Sequence, residues 1–82
     1  MSLNETNSNG LTANMILTRL EQRVTVNNAK LLLHTAKIQT GITVENSVTL
    51  APDQAKALCL KLINAGGPSF QVGQALYKEF LM

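Results

Sequence analysis

Between Thr12 and Thr40 the apolar residues recur at three- and four-residue steps. Ala13, Leu17, Leu20, Val24, Leu31 and Ile38 share one stripe, and Met15, Val26, Ala29, Leu33 and Ala36 share a second, smaller one. That spacing puts side chains on common faces of an α-helix. Thr12 is a suitable N-cap and Gly41 supplies a left-handed stop, so the pattern predicts a single long helix over this span. The polar Asn27 interrupts the main stripe.

The period then changes. In "ITVENSVTL" Ile42 and Val44, then Val48 and Leu50, alternate with Thr43 and Thr49, which is strand spacing. Glu45-Asn46-Ser47 could turn the chain into a tiny hairpin, with an extended connector as the alternative. "APDQAKALCLKLINAGG" restores the helical step: Pro52 suits a first helical position, Asp53 favours the positive end, and Gly66-Gly67 stops the run. Its apolar face is Ala55, Leu58, Cys59, Leu62 and Ile63. Pro68-Ser69 restarts a last helix, with Ser69 as cap and Val72, Ala75, Leu76, Phe80 and Leu81 apolar. The expected fold class is mainly α: one long helix, a short extended connector or tiny hairpin, then an αα-hairpin. Residues 1–10, polar and Asn-rich, are read as a flexible leader, and residues 11–82 as a single small helical domain.

Three consecutive leucines, Leu31, Leu32 and Leu33, raise a packing problem. Successive side chains on a helix are about 100° apart, so these three point to nearly all sides. Burying one leucine is worth roughly 1.5–3 kcal/mol, a large fraction of what a core this small supplies. Two following helices can cover one face of the long helix, and the economical cover for the rest is a second copy. The expected oligomer interface, of a dimer or tetramer, comprises Leu17, Leu20, Val24, Asn27, Leu31, Leu32, Leu33 and Ile38, with Phe80 and Leu81 from the apolar "EFLM" end. Asn27 and His34 would occupy seam positions, where a polar residue fixes register at a cost in stability.

Composition sharpens this picture by exclusion. One cysteine, Cys59, permits no intrachain disulfide, and one histidine, His34, leaves no zinc site of ordinary ligand spacing. Among ways to stabilise 82 residues, oligomerisation is the one left. Cys59 is expected as a small core residue. The five acids, Glu5, Glu21, Glu45, Asp53 and Glu79, lie in separate segments, and none is one helical turn from another or from His34. Neither paired-carboxylate nor nucleophile–histidine chemistry is indicated. "NAGGPS" matches neither phosphate-binding glycine motif. The expectation is a protein without enzymatic activity and without cofactors. No apolar run approaches the length of a membrane span and "MSLNETNSNG" has no signal pattern, so a cytoplasmic location is expected.

Charge adds one positive feature. Arg19, Arg23, Lys30, His34 and Lys37 lie within about 60° of each other on a continuous helical projection, beside the main apolar stripe. This basic stripe is the expected partner-binding surface, a landing strip for an acidic protein face. A net charge of +2 and few aromatics disfavour nucleic acid. The competing reading is a small DNA-binding regulator using the C-terminal helix pair, with Gln71, Gln74 and Lys78 as contacts. It fits poorly, because Pro68 lies in the turn and Gly73 inside the second helix.

In its length, the leader "MSLNETNSNG", the span "LTRLEQRVTVNNAKLLLHTAKI" and two trailing helices, the chain resembles the small antirepressor proteins of temperate phages. Those are helical oligomers that bind a phage repressor and remove it from its operator. The resemblance is one of layout and contains no diagnostic motif, so it transfers no functional residue. It implies a regulator or inhibitor acting by binding alone, with a transcriptional repressor as partner.

Overall fold

The computed structural model describes residues 10–81, and the expected leader therefore lies almost wholly outside the described residues. Among them are four helices: α1 (Ala13–Glu21), α2 (Val26–Thr40), α3 (Pro52–Ala65) and α4 (Gly67–Phe80). About 72 % of the described residues are helical and none is in a strand, so the fold is mainly α.

The single long helix expected over 12–40 is two. Its first half is capped as expected, with Thr12 Oγ1 accepting from the Met15 N–H at 3.2 Å. It ends at Glu21, and Thr25 caps a new helix, its Oγ1 accepting from the Asn28 N–H at 3.2 Å. The cause is local. Val24, Thr25 and Val26 are three β-branched residues in succession, which lose side-chain freedom in a helix, and threonine competes as a cap. At the far end Gly41 takes a left-handed conformation (φ 74°), and the Ile42 N–H bonds back to the Lys37 carbonyl at 3.0 Å.

No hairpin forms between 42 and 50. The segment is a connector that folds back along the start of α1. Thr12 and Thr49 form an isolated antiparallel bridge, the Leu50 N–H reaches the Leu11 carbonyl at 2.8 Å, and the Asn14 N–H reaches the Asn46 carbonyl at 3.0 Å. Ile42 and Leu50 are buried and Val44 packs half-buried against the core, while Val48 is exposed.

Helices α3 and α4 follow the expected boundaries closely. Pro52 opens α3, and the Ala51 N–H is satisfied by Gln54 Oε1 at 3.1 Å. Gly66 and Gly67, both at positive φ, reverse the chain with a single residue between the helices. Ser69 is not the cap expected of it: Gly66 is, and Ser69 is buried inside the first turn of α4. Contacts run α1–α2, α2–α3, α3–α4 and α4–α1, closing the four helices into a ring. Leu11, Ile16, Leu20, Leu33, Leu50, Leu58, Cys59, Leu62 and Leu76 fill its centre. Cys59 lies in the core, as its place on the apolar face of α3 leads one to expect.

Candidate functional site

The break at 22–25 reorganises both expected surfaces. With α1 folded back on α2, Leu20 and Leu33 are buried within one chain. Leu17, Val24, Leu32, Phe80 and Leu81 pack half-buried against the same core. A single chain thus covers much of what a second copy would otherwise cover. Three members of the expected interface remain exposed: Asn27, Leu31 and Ile38, the two apolar ones at 62 % and 65 % exposure. Asn27, Leu31, His34 and Ile38 are spaced four, three and four residues apart, so all four share the outward face of α2.

The basic residues divide into two sets. Arg19 and Arg23 turn towards α4. The Arg19 guanidinium donates to both oxygens of Glu79, at 2.8 and 2.6 Å, and Arg23 donates to Gln71 Oε1 at 2.6 Å. The bond to Glu79 raises the Arg19 pKa, and the same bond lowers that of Glu79. Lys30, His34 and Lys37 stay with α2. Lys30 and His34 are exposed, with no hydrogen-bond partner among the described residues. Lys37 is half-buried, and its Nζ donates to the Val44 carbonyl at 2.8 Å and to Asn46 Oδ1 at 2.7 Å. A straight helix would align all five; the change of phase between α1 and α2 separates them.

The second set borders a groove of about 400 Å³ between α1, α2 and the connector. Leu17 and Leu33 form its apolar part, and Lys30, His34, Lys37 and Asn46 its polar part. A neighbouring hollow of about 370 Å³ shares His34 and Lys37 and extends along Ile38, Gly41, Ile42 and Thr43. Asn46 is fixed at the rim from two sides, by its carbonyl to α1 and by its side chain to Lys37. Sequence reasoning missed Asn46, Gln71 and Glu79 as partners of the basic residues. Arg19 and Glu79 are 60 residues apart, and no local pattern links them.

The C-terminal pair named in the DNA reading carries Lys56, Lys61 and Lys78. Gln71 is taken by Arg23, while Gln74 and Lys78 stand exposed on α4. Among the described residues no three His, Cys, Asp or Glu side chains gather as a metal site, and no helix is long and apolar enough to cross a membrane. Comparison with protein-family models, curated proteins and solved structures gives no match.

Proposed function

We propose that the chain is a small interaction protein without enzymatic activity, regulating another protein by binding an acidic amphipathic helix along α2. One observation carries this: Leu31 and Ile38 stand in water on one face of α2, edged by Lys30, His34 and Lys37. Helix-in-groove recognition uses apolar anchors at this spacing. Charge selects the partner. α2 contains no acid, whereas α1, α3 and α4 each carry one, and its two lysines equal the chain's whole formal excess of +2. An acidic helix is therefore both attracted and steered. A second copy is the less suitable occupant. Paired antiparallel through these four positions, it would set Lys30 of one copy beside Lys37 of the other, twice by symmetry. The particular form of regulation we favour is antirepression in the cytoplasm, in which the captured helix belongs to a transcriptional repressor and capture frees its operator.

The test uses a designed helical peptide with leucines at the same four-three-four spacing and glutamates flanking them. Fluorescence anisotropy should report binding that Leu31→Asp weakens about tenfold or more, as loss of a buried leucine implies. Added salt should slow association. Equal binding of a lysine-flanked peptide, or assembly into a stable dimer that excludes both peptides, would overturn the proposal. Antirepression itself is read by release of operator DNA from a phage repressor on adding the protein.

A further inference from the structure

The groove beside this face holds a positive charge without a counter-charge. Among the described residues the one ion pair is Arg19–Glu79. Lys37 is half-buried, yet both of its acceptors are neutral, a backbone carbonyl and an amide oxygen. An ammonium has three N–H donors, so one remains to be used. Lys30 and His34 border the same groove with no partner among the described residues, and no acid lines it. A charge removed from water costs free energy unless it is paired and hydrogen-bonded, so a cation held this way is a receptor for an anion.

The remainder of the groove defines the body attached to that anion. Leu17, half-buried on α1, presents hydrocarbon directly beside the cations, next to the edge of the buried Leu33 of α2. At about 400 Å³ the space lies at the lower end of small-molecule sites. Its donors are lysine and imidazole, with no guanidinium fork and no helix N-terminus, which suits a singly charged carboxylate better than a phosphate ester. The wall is organised before anything binds, because Asn46 is tied to α1 through its carbonyl and to Lys37 through its side chain.

We infer that the groove between α1, α2 and the 41–50 connector is a binding site for a small amphipathic carboxylate. The carboxylate is received by Lys37 and Lys30, and its hydrocarbon lies on Leu17 and Leu33. This goes beyond the docking of a partner helix and stands without it, since the groove lies on the α1 side of α2. Because Lys30, His34 and Lys37 edge the outward face as well as lining the groove, a bound carboxylate would also change the charge that a docked helix meets.

Octanoate is the probe, titrated into the full-length protein and followed by ¹H–¹⁵N correlation spectra. Saturable shifts should gather at Leu17, Leu33, His34, Lys37 and Asn46. Acetate, inorganic phosphate and octylamine should each bind about tenfold or more weakly, since each lacks one half of the complementarity. Lys30→Gln, which breaks no hydrogen bond among the described residues, should weaken octanoate about tenfold, as loss of a charge-assisted hydrogen bond implies. Lys37→Gln should weaken it further, and its thermal melt reports separately on the connector it holds. Leu31→Ser, which removes an apolar anchor of the proposed helix docking without adding charge beside Lys30 and His34, should leave octanoate binding unchanged, so the two proposals fail independently. Octylamine binding as well as octanoate would reduce the site to an apolar groove. Acetate or phosphate binding as well would reduce it to a basic patch. Either result, or shifts scattered elsewhere, overturns the inference.

Discussion

Replacing Gly73 by alanine sets two physical effects against each other, and the geometry decides between them. Gly73 lies inside α4, where alanine is favoured over glycine by about 0.8–1.0 kcal/mol of intrinsic helix propensity. On propensity alone Gly73→Ala would stabilise the protein. In the structure, however, α4 packs directly against α3 at this residue. An added Cβ would stand 2.7 Å from the Cys59 carbonyl oxygen, 3.0 Å from Leu62 Cβ and 3.1 Å from Ile63 Cγ1. A carbon–oxygen contact is comfortable at about 3.3 Å, so the new methyl must gain roughly 0.6 Å against a backbone atom. That atom cannot rotate away; the helices must separate or slide. Such overpacking costs typically 1–3 kcal/mol. After the propensity gain is subtracted, Gly73→Ala should leave a net destabilisation of up to about 2 kcal/mol, a fall in Tm of up to roughly 15 °C for a domain of this size, in place of the rise that propensity alone would give. The control is Asn64→Ala on the exposed side of α3, where propensity acts alone and stability should rise by a few tenths of a kcal/mol. Urea titration of the three proteins at one temperature is sufficient. If Gly73→Ala matches the rise of the control, α3 and α4 are not in close contact at residue 73, and the packing described here is incorrect.

Three other consequences are directly measurable. Burial pushes the Cys59 thiol from its ordinary 9.0 up to about 11. Its folded pKa exceeds its unfolded one, so stability is full below about pH 9 and declines as pH rises towards 11, by about 2–3 kcal/mol for a two-unit shift; Cys59→Ala should lack that decline, and the native thiol should resist labelling until the protein unfolds. Glu79 is shifted the other way by Arg19, so its contribution is present above the ordinary glutamate range and is lost as pH falls through the lowered value. Glu79→Gln should accordingly flatten the acid side of a stability–pH curve, and an unchanged curve would show that the exposed pair is loose in solution. Thr25→Ala removes the cap of α2 and should cost about 1 kcal/mol in a thermal melt; no change would imply that the N-terminus of α2 frays in any case.

Much of the architecture was legible where one residue determines the local conformation. Gly41 stops α2, Pro52 opens α3 and Gly66 separates the last two helices, because each has a conformational preference that tertiary contacts seldom override. The apolar face of α3 was equally clear from its spacing. The break at Gln22–Thr25 was not, since Leu17, Leu20, Val24, Leu31 and Ile38 continue in phase across it. Its local signs, the Val-Thr-Val run and the polar Asn27, are weaker than that periodicity. Missing the break placed five basic side chains on one continuous stripe and concealed the cover that α1 gives Leu33, while Leu31 stays exposed on α2. The groove was beyond reach of any local pattern, because Asn46 and Leu17 meet only when the connector folds back on α1.

The one-residue link at Gly66 bears on the order in which this chain acquires its shape. α3 and α4 are neighbours in sequence as well as in space, so their association closes almost no loop and loses little chain entropy. The ring is completed by α1 meeting α4, a contact exemplified by Arg19 and Glu79 at a separation of 60 residues. Local contacts form at little entropic cost and distant ones are reached late. The C-terminal pair is thus the expected nucleus, and the α1–α4 junction the last seam to close and the first to open. Substitutions between α3 and α4 should slow folding, whereas those at the Arg19–Glu79 junction should mainly hasten unfolding. Opening at that junction parts α1 from α4 but leaves α1 on α2 and tied to the connector, so the Leu17 wall of the groove can persist while α3 and α4 stay paired.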